Sequence, residues 1–439
     1  MSGPKVVRIV TREEVLDICN GLLARVDAAL EEWLRVAARH ECVDEETIAA
    51  TRRRREALSK LIMADCFMEL QKQAPIEESF LRNNVQALVN KVAAKQAEAQ
   101  LRERREREAA VSLLRVLRAG NMPIDSKLED RLKRGEADAL SEGFRMLSET
   151  SNVQTASAKL ASLLRDQAEP ISFARWLASQ PRPEEDPTIQ KLELRIAELM
   201  LLVPEATAST WQQRLDEAAG ADHVRRGLLI DGLEVETGRA LTKARKRNLA
   251  ASELNLLLAE ADTAGMDTSS LRSGLDTLDG SAIAARVAEA NASLEKVRSE
   301  ASACARRNAI LKELSALGYE VAEGMSTILA ERGRLVLRNA ARLDYGVEVS
   351  AANGSARMQM RAVAFDQEGS GSNPERDRDA ETIWCGEVST LQERLAEIGG
   401  GLIIEKALPV GATPLKRVGL KTDRQNMTEA PGLRERTLR

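Results

Sequence analysis

The residues that could carry chemistry in this 439-residue chain are few and far apart. Its histidines are His40 and His223, and neither stands in a spacing such as H-E-x-x-H that would place metal ligands on one helix face. Cys42 follows His40 by two residues, a spacing that points the two side chains to different faces of a helix. A Cys–His nucleophile pair would have to be assembled by the tertiary fold. These residues predict no enzyme.

Phosphate-binding glycine loops are also missing from the sequence. A P-loop has the pattern G-x-x-x-x-G-K-[ST], in which backbone amides and the lysine hold the phosphates. The nearest match runs from Gly232 to Arg239, but it has one residue too many, two acids where phosphates would lie and no Lys-Ser. A helix interrupted by glycines explains it better. No G-x-G-x-x-G occurs, so we expect no cofactor.

The five cysteines are odd in number, scattered and never in C-x-x-C spacing, whereas zinc sites and disulfide frameworks need tighter arrangements. We therefore expect reduced thiols in a cytoplasmic protein. The first residues lack the apolar stretch of a signal peptide. No run of about 18 apolar residues occurs, which predicts no membrane-spanning helix and no membrane partner.

Two blocks of arginines are candidates for binding phosphate groups, because the guanidinium group can donate two parallel hydrogen bonds to a phosphate. Their members are Arg52, Arg53, Arg54, Arg55, Arg102, Arg104, Arg105 and Arg107. Glutamates interleave the second block, no stacking aromatic residues flank either block, and the net charge of −4 excludes a bulk polycation. The pattern favours the solvated flank of a coiled coil. The alternative is contact with nucleic acid.

Two further residues are candidates for contacts with proteins. Asn308 lies in a heptad seam, and a polar residue at a core heptad position can fix the register of a coiled coil. Packing of that helix within its own chain is the alternative that we favour. Trp384 lies in a predicted helix and could anchor a partner, since tryptophan is common at interface hot spots. Packing onto the protein's own sheet is the more frequent role of such a residue.

The elements that must position these residues are mostly helices. Aromatic residues make up only 3% of the chain and charged residues 30%, a balance typical of long helices and coiled coils. Heptad seams run through Leu81–Val92 and, over about four heptads, through Ile283–Leu311. Pauses are expected at Pro75 and at Gly120, Gly143, Thr150, Pro170, Gly220, Gly227 and Gly232.

The pattern changes after Gly318, where alternating apolar segments predict strands around Tyr319, Leu335, Tyr345 and Met358–Phe365. Asn353-Gly354 predicts a hairpin turn, Gly369–Pro374 a loop, Glu375–Ile398 a helix and Leu402–Glu405 a last strand. The fold class is therefore mainly α with coiled-coil segments, followed by a small α+β domain. That domain would be an antiparallel meander with one helix.

Six regions follow from these boundaries. They are a helical and coiled-coil region at 1–120, a short-helix region at 121–180, a Pro/acid-rich linker at 181–188, a second helical and coiled-coil region at 189–317, the α+β domain at 318–408 and a basic flexible tail at 409–439. The tail holds seven basic and three acidic residues, for a net charge of +4.

The function predicted from these features is non-catalytic. We expect a cytoplasmic scaffold or interaction subunit of a multi-protein assembly, with the α+β domain docking a protein partner and the helices setting distance and oligomeric state. Self-association is left open. The leading alternative is a nucleic-acid-associated accessory protein that binds phosphates through the arginine blocks or the basic tail, with an affinity that falls steeply with salt. A third alternative is an enzyme with an unfamiliar site in the α+β domain.

Overall fold

The structure, a computed structural model, describes residues 4–120, 122–150, 187–351, 356–366 and 373–419. Most described residues are helical, and a sheet with a helix packed on it forms from the C-terminal part of the chain. The predicted fold class, mainly α with a small C-terminal α+β domain, is confirmed. The predicted features that lie outside the described residues are the break at Pro170, most of the linker, the Asn353-Gly354 turn, most of the loop 369–374 and the tail beyond Gly419.

The first three helices are α1 (Arg12–His40), α2 (Glu45–Met63) and α3 (Phe67–Ala119). Thr11 caps α1, since its hydroxyl accepts a hydrogen bond from the Glu14 amide. The pause predicted at Pro75 was wrong: the break falls at Ala64–Cys66, and α3 continues through Pro75. Burial of neighbours on the same helix, such as Leu70 and Ala74, offsets the proline, which typically costs a helix about 3 kcal/mol.

The next helices in the described part of the chain are α4 (Ser126–Lys133), α5 (Ala137–Thr150), α6 (Pro187–Leu202), α7 (Glu205–Gly220) and α8 (His223–Thr263). The chain breaks near Gly120 and Gly220 as expected. The breaks predicted at Gly143, Gly227 and Gly232 were wrong, because α5 and α8 run through these glycines. A single glycine costs a helix about 1 kcal/mol, which packing along a 41-residue helix outweighs.

A one-turn helix, α9 (Ser269–Arg272), leads into α10 (Gly280–Ala316). The seam predicted on α10 packs against α8 over its first half, where Ile283, Ala290 and Leu294 are buried. Beyond that point the buried positions shift by one residue to Ala303 and later Ile310. A helix of 3.6 residues per turn drifts about 20° per heptad from a 3.5-residue repeat, so the contact face leaves the seam.

The sheet contains β1 (Lys5–Val10), β2 (Arg334–Asn339), β3 (Arg342–Ala351), β4 (Arg357–Asp366), β5 (Gly401–Lys406) and β6 (Lys416–Gly419). Its strand order is β2-β3-β4-β1-β5, and all neighbours in this path are antiparallel. β6 pairs in parallel with the end of β4 that β1 does not reach. The helices of this part are α11 (Met325–Arg332) and α12 (Pro374–Glu397).

The α+β domain therefore differs from the predicted range 318–408. β1, which the sequence shows only as β-branched residues, lies between β4 and β5, and the first part of the predicted tail supplies β6. The predicted strand at Tyr319 is a single bridge to Asn339. β1 pairs with strands more than 300 residues away and β6 with a strand about 50 residues away, and neither pairing leaves a local pattern, which is why the sequence missed them.

Packing also crosses the predicted boundary between the two helical regions. Leu256 of α8 lies in one hydrophobic cluster with residues of α1 and α3, such as Trp33 and Leu70. Ala197 of α6 packs against α3 at Ala93 and Ala97. Helices α1–α10 are called the helical body below. No helix in the described part of the chain is long and apolar enough to cross a membrane.

The end of α10 joins the helical body to the sheet. Ile310, Leu311 and Leu314 of α10 share a core with Val7 and Ile9 of β1 and with α12. Ion pairs reinforce this junction: Arg306 of α10 bonds to Glu14 of α1, and Arg394 of α12 bonds to Glu313 of α10. The sheet is thus held to the helical body by packing as well as by chain connection.

Candidate functional site

The first arginine block is divided between the protein's interior and its surface. Arg54 bonds to Glu77 of α3 at 3.0 Å and stacks over the ring of Phe80, and Arg55 donates from Nε and Nη2 to the two carboxylate oxygens of Asp27 of α1. Arg52 and Arg53 on α2 are exposed. The block therefore helps to fix α2 on its neighbours, and two of its four charges face solvent.

The second block is divided in the same way. Arg104 enters the interface of α3, α6 and α7, where its Nη2 lies 2.5 Å from Glu193 and 2.8 Å from Asp216. Arg107 pairs with Glu103 one turn away on α3. The other two members, Arg102 and Arg105, are exposed. The second block therefore does not face solvent as a unit.

The two candidate protein contacts are placed differently. Trp384 is 1% exposed and packs edge-on against Tyr319, with ring centroids 6.2 Å apart. It belongs to the core between α12 and the sheet, which is the role favoured from sequence, and the folded chain does not present it to a partner. Asn308 is exposed, and its amide donates to the sulfur of Cys304 in the same helix at 3.6 Å. A register role for Asn308 stays a prediction about contact with another molecule.

The potential catalytic residues are not brought together. His40 ends α1 and His223 begins α8, while Cys42 lies in the turn after α1. Within the described ranges, no group of three or more His, Cys, Asp or Glu side chains could hold a metal ion. The hydroxyl of Ser281 donates to Asp279 Oδ1 at 2.8 Å, but both residues belong to the N-terminal cap of α10.

A large open groove lies along α8, and the sequence analysis did not identify it. Its volume is about 1170 Å³, and its sides are formed by Arg195 of α6 and by the first turn of α10 at Asp279–Ala284. Asp231 lies on the floor toward the start of α8, and Lys246 lies toward the middle of the helix. Neither has an ion pair with another described residue. The glycine-containing segment Gly232–Arg239, excluded above as a phosphate loop, forms part of α8 along this groove.

The exposed side of α8 that includes the groove floor carries apolar residues. Val224, Leu228, Val235 and Leu249 are each at least 54% exposed. We call this side of α8, from Val224 to Leu249, the groove face. Large apolar side chains that recur on one exposed side of a helix are typical of an interaction surface. Their spacing of four, seven and fourteen residues was visible in the sequence, but the glycines between them concealed the helix.

A second exposed apolar feature lies at the edge of the sheet. β5 pairs only with β1 among the described strands, so one of its sides offers unpaired backbone groups. Ile403 and the adjacent Ile404 are exposed, at 58% and 38%. Since consecutive strand residues point to opposite faces, neither face of the sheet is covered there. We call the free side of Gly401–Lys406 the β5 edge.

A cluster of charges inside the helical body was also missed. Arg25 of α1 bonds to Glu78 of α3 and to Glu253 and Glu260 of α8, and Arg298 of α10 bonds to Glu260 and to Asp17. Burial lowers the pKa of Arg25, but the hydrogen bonds and charges of Glu78 and Glu253 outweigh this effect and raise it. The cluster joins four helices and is structural, since its charges are paired with one another, although Nη2 of Arg298 is buried with no hydrogen-bond partner among the described residues.

No protein-family model, curated protein or solved structure matches this chain.

Proposed function

We propose that this protein is a non-catalytic, cytoplasmic interaction subunit of a multi-protein assembly. Its α+β domain docks a protein partner, and its helical body sets the distance at which that partner is held. The scattered thiols support the cytoplasmic location, and the placement of His40 and His223 on different helices supports the non-catalytic role. The observation that carries the proposal is the β5 edge.

The β5 edge fits an extended segment of another protein. Sheets leave a hydrophobic edge strand open at the risk of aggregation, and natural proteins usually protect such edges with charges, prolines or covering elements. Here Ile403 and Ile404 leave the middle of β5 apolar and exposed, and charged residues follow at its end, at Glu405 and Lys406. A partner strand would add to β5 through main-chain hydrogen bonds and would cover both isoleucines.

The opposite edge of the sheet is less available. Glu320 donates its amide to the carbonyl of Arg338 in β2, and Tyr319 bridges to Asn339. Backbone groups near the end of β2 are therefore already used. The two edges differ, and this difference favours β5 as the docking strand.

The helical body supplies length. α3 alone has 53 residues and spans about 80 Å at 1.5 Å per residue. Because α10 shares a core with the sheet and is joined by ion pairs to α1 and α12, a partner held at β5 has a defined position relative to the helices. This arrangement suits a subunit that positions other proteins.

The test is a pull-down of tagged protein from its native cells, with nuclease-treated and untreated halves, compared with the double variant Ile403→Lys/Ile404→Lys. We expect a discrete protein that survives nuclease and is lost with the double variant, because lysines on an edge strand oppose strand addition. Leu343→Lys is the matched control, since Leu343 is an exposed apolar residue of β3 in the same sheet. That variant should retain the partner.

Two outcomes would contradict the proposal. A partner that binds the edge variant as well as the parent would show that β5 is not the docking strand. Material that disappears with nuclease would favour the alternative function, contact with nucleic acid through the exposed arginines Arg52, Arg53 and Arg102.

A further inference from the structure

The groove face of α8 has a regular repeat. At 100° per residue, Val224, Leu228, Val235 and Leu249 fall within a sector of about 60° around the helix axis. The stripe extends over 26 residues, or about 38 Å. Inside the helical body such a stripe would pack against another helix, as the opposite side of α8 does with Leu233 and Leu241. On the groove face no described element covers it.

Charges divide the groove face into two unlike halves. Asp231 lies in the first half and Lys246 in the second, both within or close to the apolar sector. Both side chains are exposed and lack ion pairs in the described part of the chain. Between them lies Gly238, where Nη1 of Arg195 lies 3.4 Å from the position of an added Cβ, and Arg239 beside it also lines the groove.

The order of residues along this face is self-complementary. If a second α8 is laid antiparallel on the first, with the midpoint beside Gly238, Leu228 faces Leu249 and Val235 faces Thr242. The same alignment places Asp231 opposite Lys246 twice, once on each side of the midpoint. A two-fold axis produces this arrangement without further adjustment, because such an interface uses the same surface on both copies.

We propose that the groove face binds a second copy of this chain, with the two α8 helices antiparallel across a two-fold axis. The apolar residues supply the buried surface, and the two Asp231–Lys246 pairs set the direction and register. The self-complementary order of charges favours an identical copy over an unrelated helix.

Full-length protein should therefore be a dimer in light scattering coupled to size-exclusion chromatography, and a monomer on dilution. Asp231→Lys places four lysines at the interface, and Lys246→Asp places four aspartates there. Each variant alone should raise the dimer dissociation constant by at least about tenfold, because like charges meet at both contact points. An equimolar mixture of the two variants should restore the dimer, since residues 231 and 246 of the two copies then carry opposite charges at both contact points.

Matched controls separate this interface from a general effect of charge. Lys296→Asp and Glu289→Lys make the same kinds of change at exposed positions of α10 outside the groove, and both should leave the dimer unchanged. Circular dichroism confirms that each variant is folded, as expected for exposed positions.

The result can overturn the proposal in three ways. The parent could be monomeric at all concentrations, the single variants could dimerise like the parent, or their mixture could fail to dimerise better than either alone. An unrelated helix or another segment of this chain in the groove would give the first or the third result. The outcome is independent of the β5 edge, because the Ile403→Lys/Ile404→Lys variant should dimerise normally.

Discussion

Glu193 shows how a single buried charge behaves in this protein. It is fully buried between α3, α6 and α7, and Arg104 forms an ion pair with it but no hydrogen bond of good geometry to either carboxylate oxygen. Burial raises the pKa of Glu193, the charge of Arg104 opposes this, and the charge of Asp216 adds to it. The ionised form is therefore less stable in the folded protein than in the unfolded chain.

The pKa of Glu193 predicts an unusual effect of Glu193→Gln. Because the folded-state pKa is raised, the native protein gains stability when this carboxyl is protonated and loses it as the pH rises through that pKa. The variant should raise the free energy of unfolding by about 1–3 kcal/mol at pH 7, and the gain should vanish at pH 4. Urea denaturation at both pH values measures this.

Glu198→Gln is the matched control on the same helix. Glu198 is also buried, but Arg245 bonds to both of its oxygens at 2.6 Å. Replacement by glutamine breaks that paired arrangement and should lower the free energy of unfolding at pH 7. If both variants change stability in the same direction, the proposed cause of the Glu193 effect is wrong.

The sequence indicated which residues could form contacts, but it did not indicate which of them bind partners within the chain and which face solvent. Trp384 was expected to pack onto its own sheet, because an apolar residue in an amphipathic helix usually does. Which arginines face solvent could not be predicted, since the partners of Arg55 and Arg104 come from other helices, at Asp27 and Glu193. Such pairs depend on tertiary packing, which has no counterpart in local spacing.

At the scale of helices and strands, sequence periodicity predicted which segments form helices or strands better than it predicted where these elements break. The helix over Glu375–Ile398 and the strand over Leu402–Glu405 were located to within about one residue. Pro75 and Gly232 were given too much weight as helix breakers, because their local costs are small beside the packing of long helices. Conversely, the break between α2 and α3 was missed, because the residue with positive φ in that turn is Asp65, at 53°, and not a glycine.

Two helix glycines should respond to alanine in opposite directions. Gly232 is exposed on α8 and no atom lies within 4 Å of an added Cβ, so Gly232→Ala should raise the free energy of unfolding by about 1 kcal/mol. Gly143 on α5 is buried, and the added Cβ would lie 2.7 Å from Leu113 Cδ2. Overpacking of about 1–3 kcal/mol should cancel or exceed the gain there. Chemical denaturation compares the two; equal stabilisation would contradict the tight packing of α5 on α3.

At the scale of the whole molecule, β1 connects the helical body to the α+β domain, which the sequence analysis treated as separate regions. It lies in the middle of the sheet, it leads directly into α1, and its residues Val7 and Ile9 share a core with the end of α10. Composition correctly divided the chain into a helical part and an α+β part. It could not show that the helical part is inserted between two strands of one sheet.

Loss of core contact in β1 should therefore weaken the sheet and the adjoining helices together. Ile9→Ala should lower the free energy of unfolding by about 2–5 kcal/mol, because Ile9 is fully buried. Hydrogen exchange followed by mass spectrometry should show faster exchange in β4, β5 and the end of α10, while α4 and α5, which have a separate core, change little. Arg8→Ala, at an exposed position of β1, is the control. Unchanged exchange in α10 would argue against a shared cooperative unit.

The position of β1 also has a consequence for synthesis on the ribosome. The first of its antiparallel neighbours to be synthesised, β4, begins about 350 residues later, which at 5–20 residues per second means a delay of roughly 20–70 s. During that time the helical body can fold from contacts that have already emerged, but Val7 and Ile9 have no strand to pair with. The nascent chain thus carries β1 as an unpaired apolar strand until the strands of the α+β domain are made.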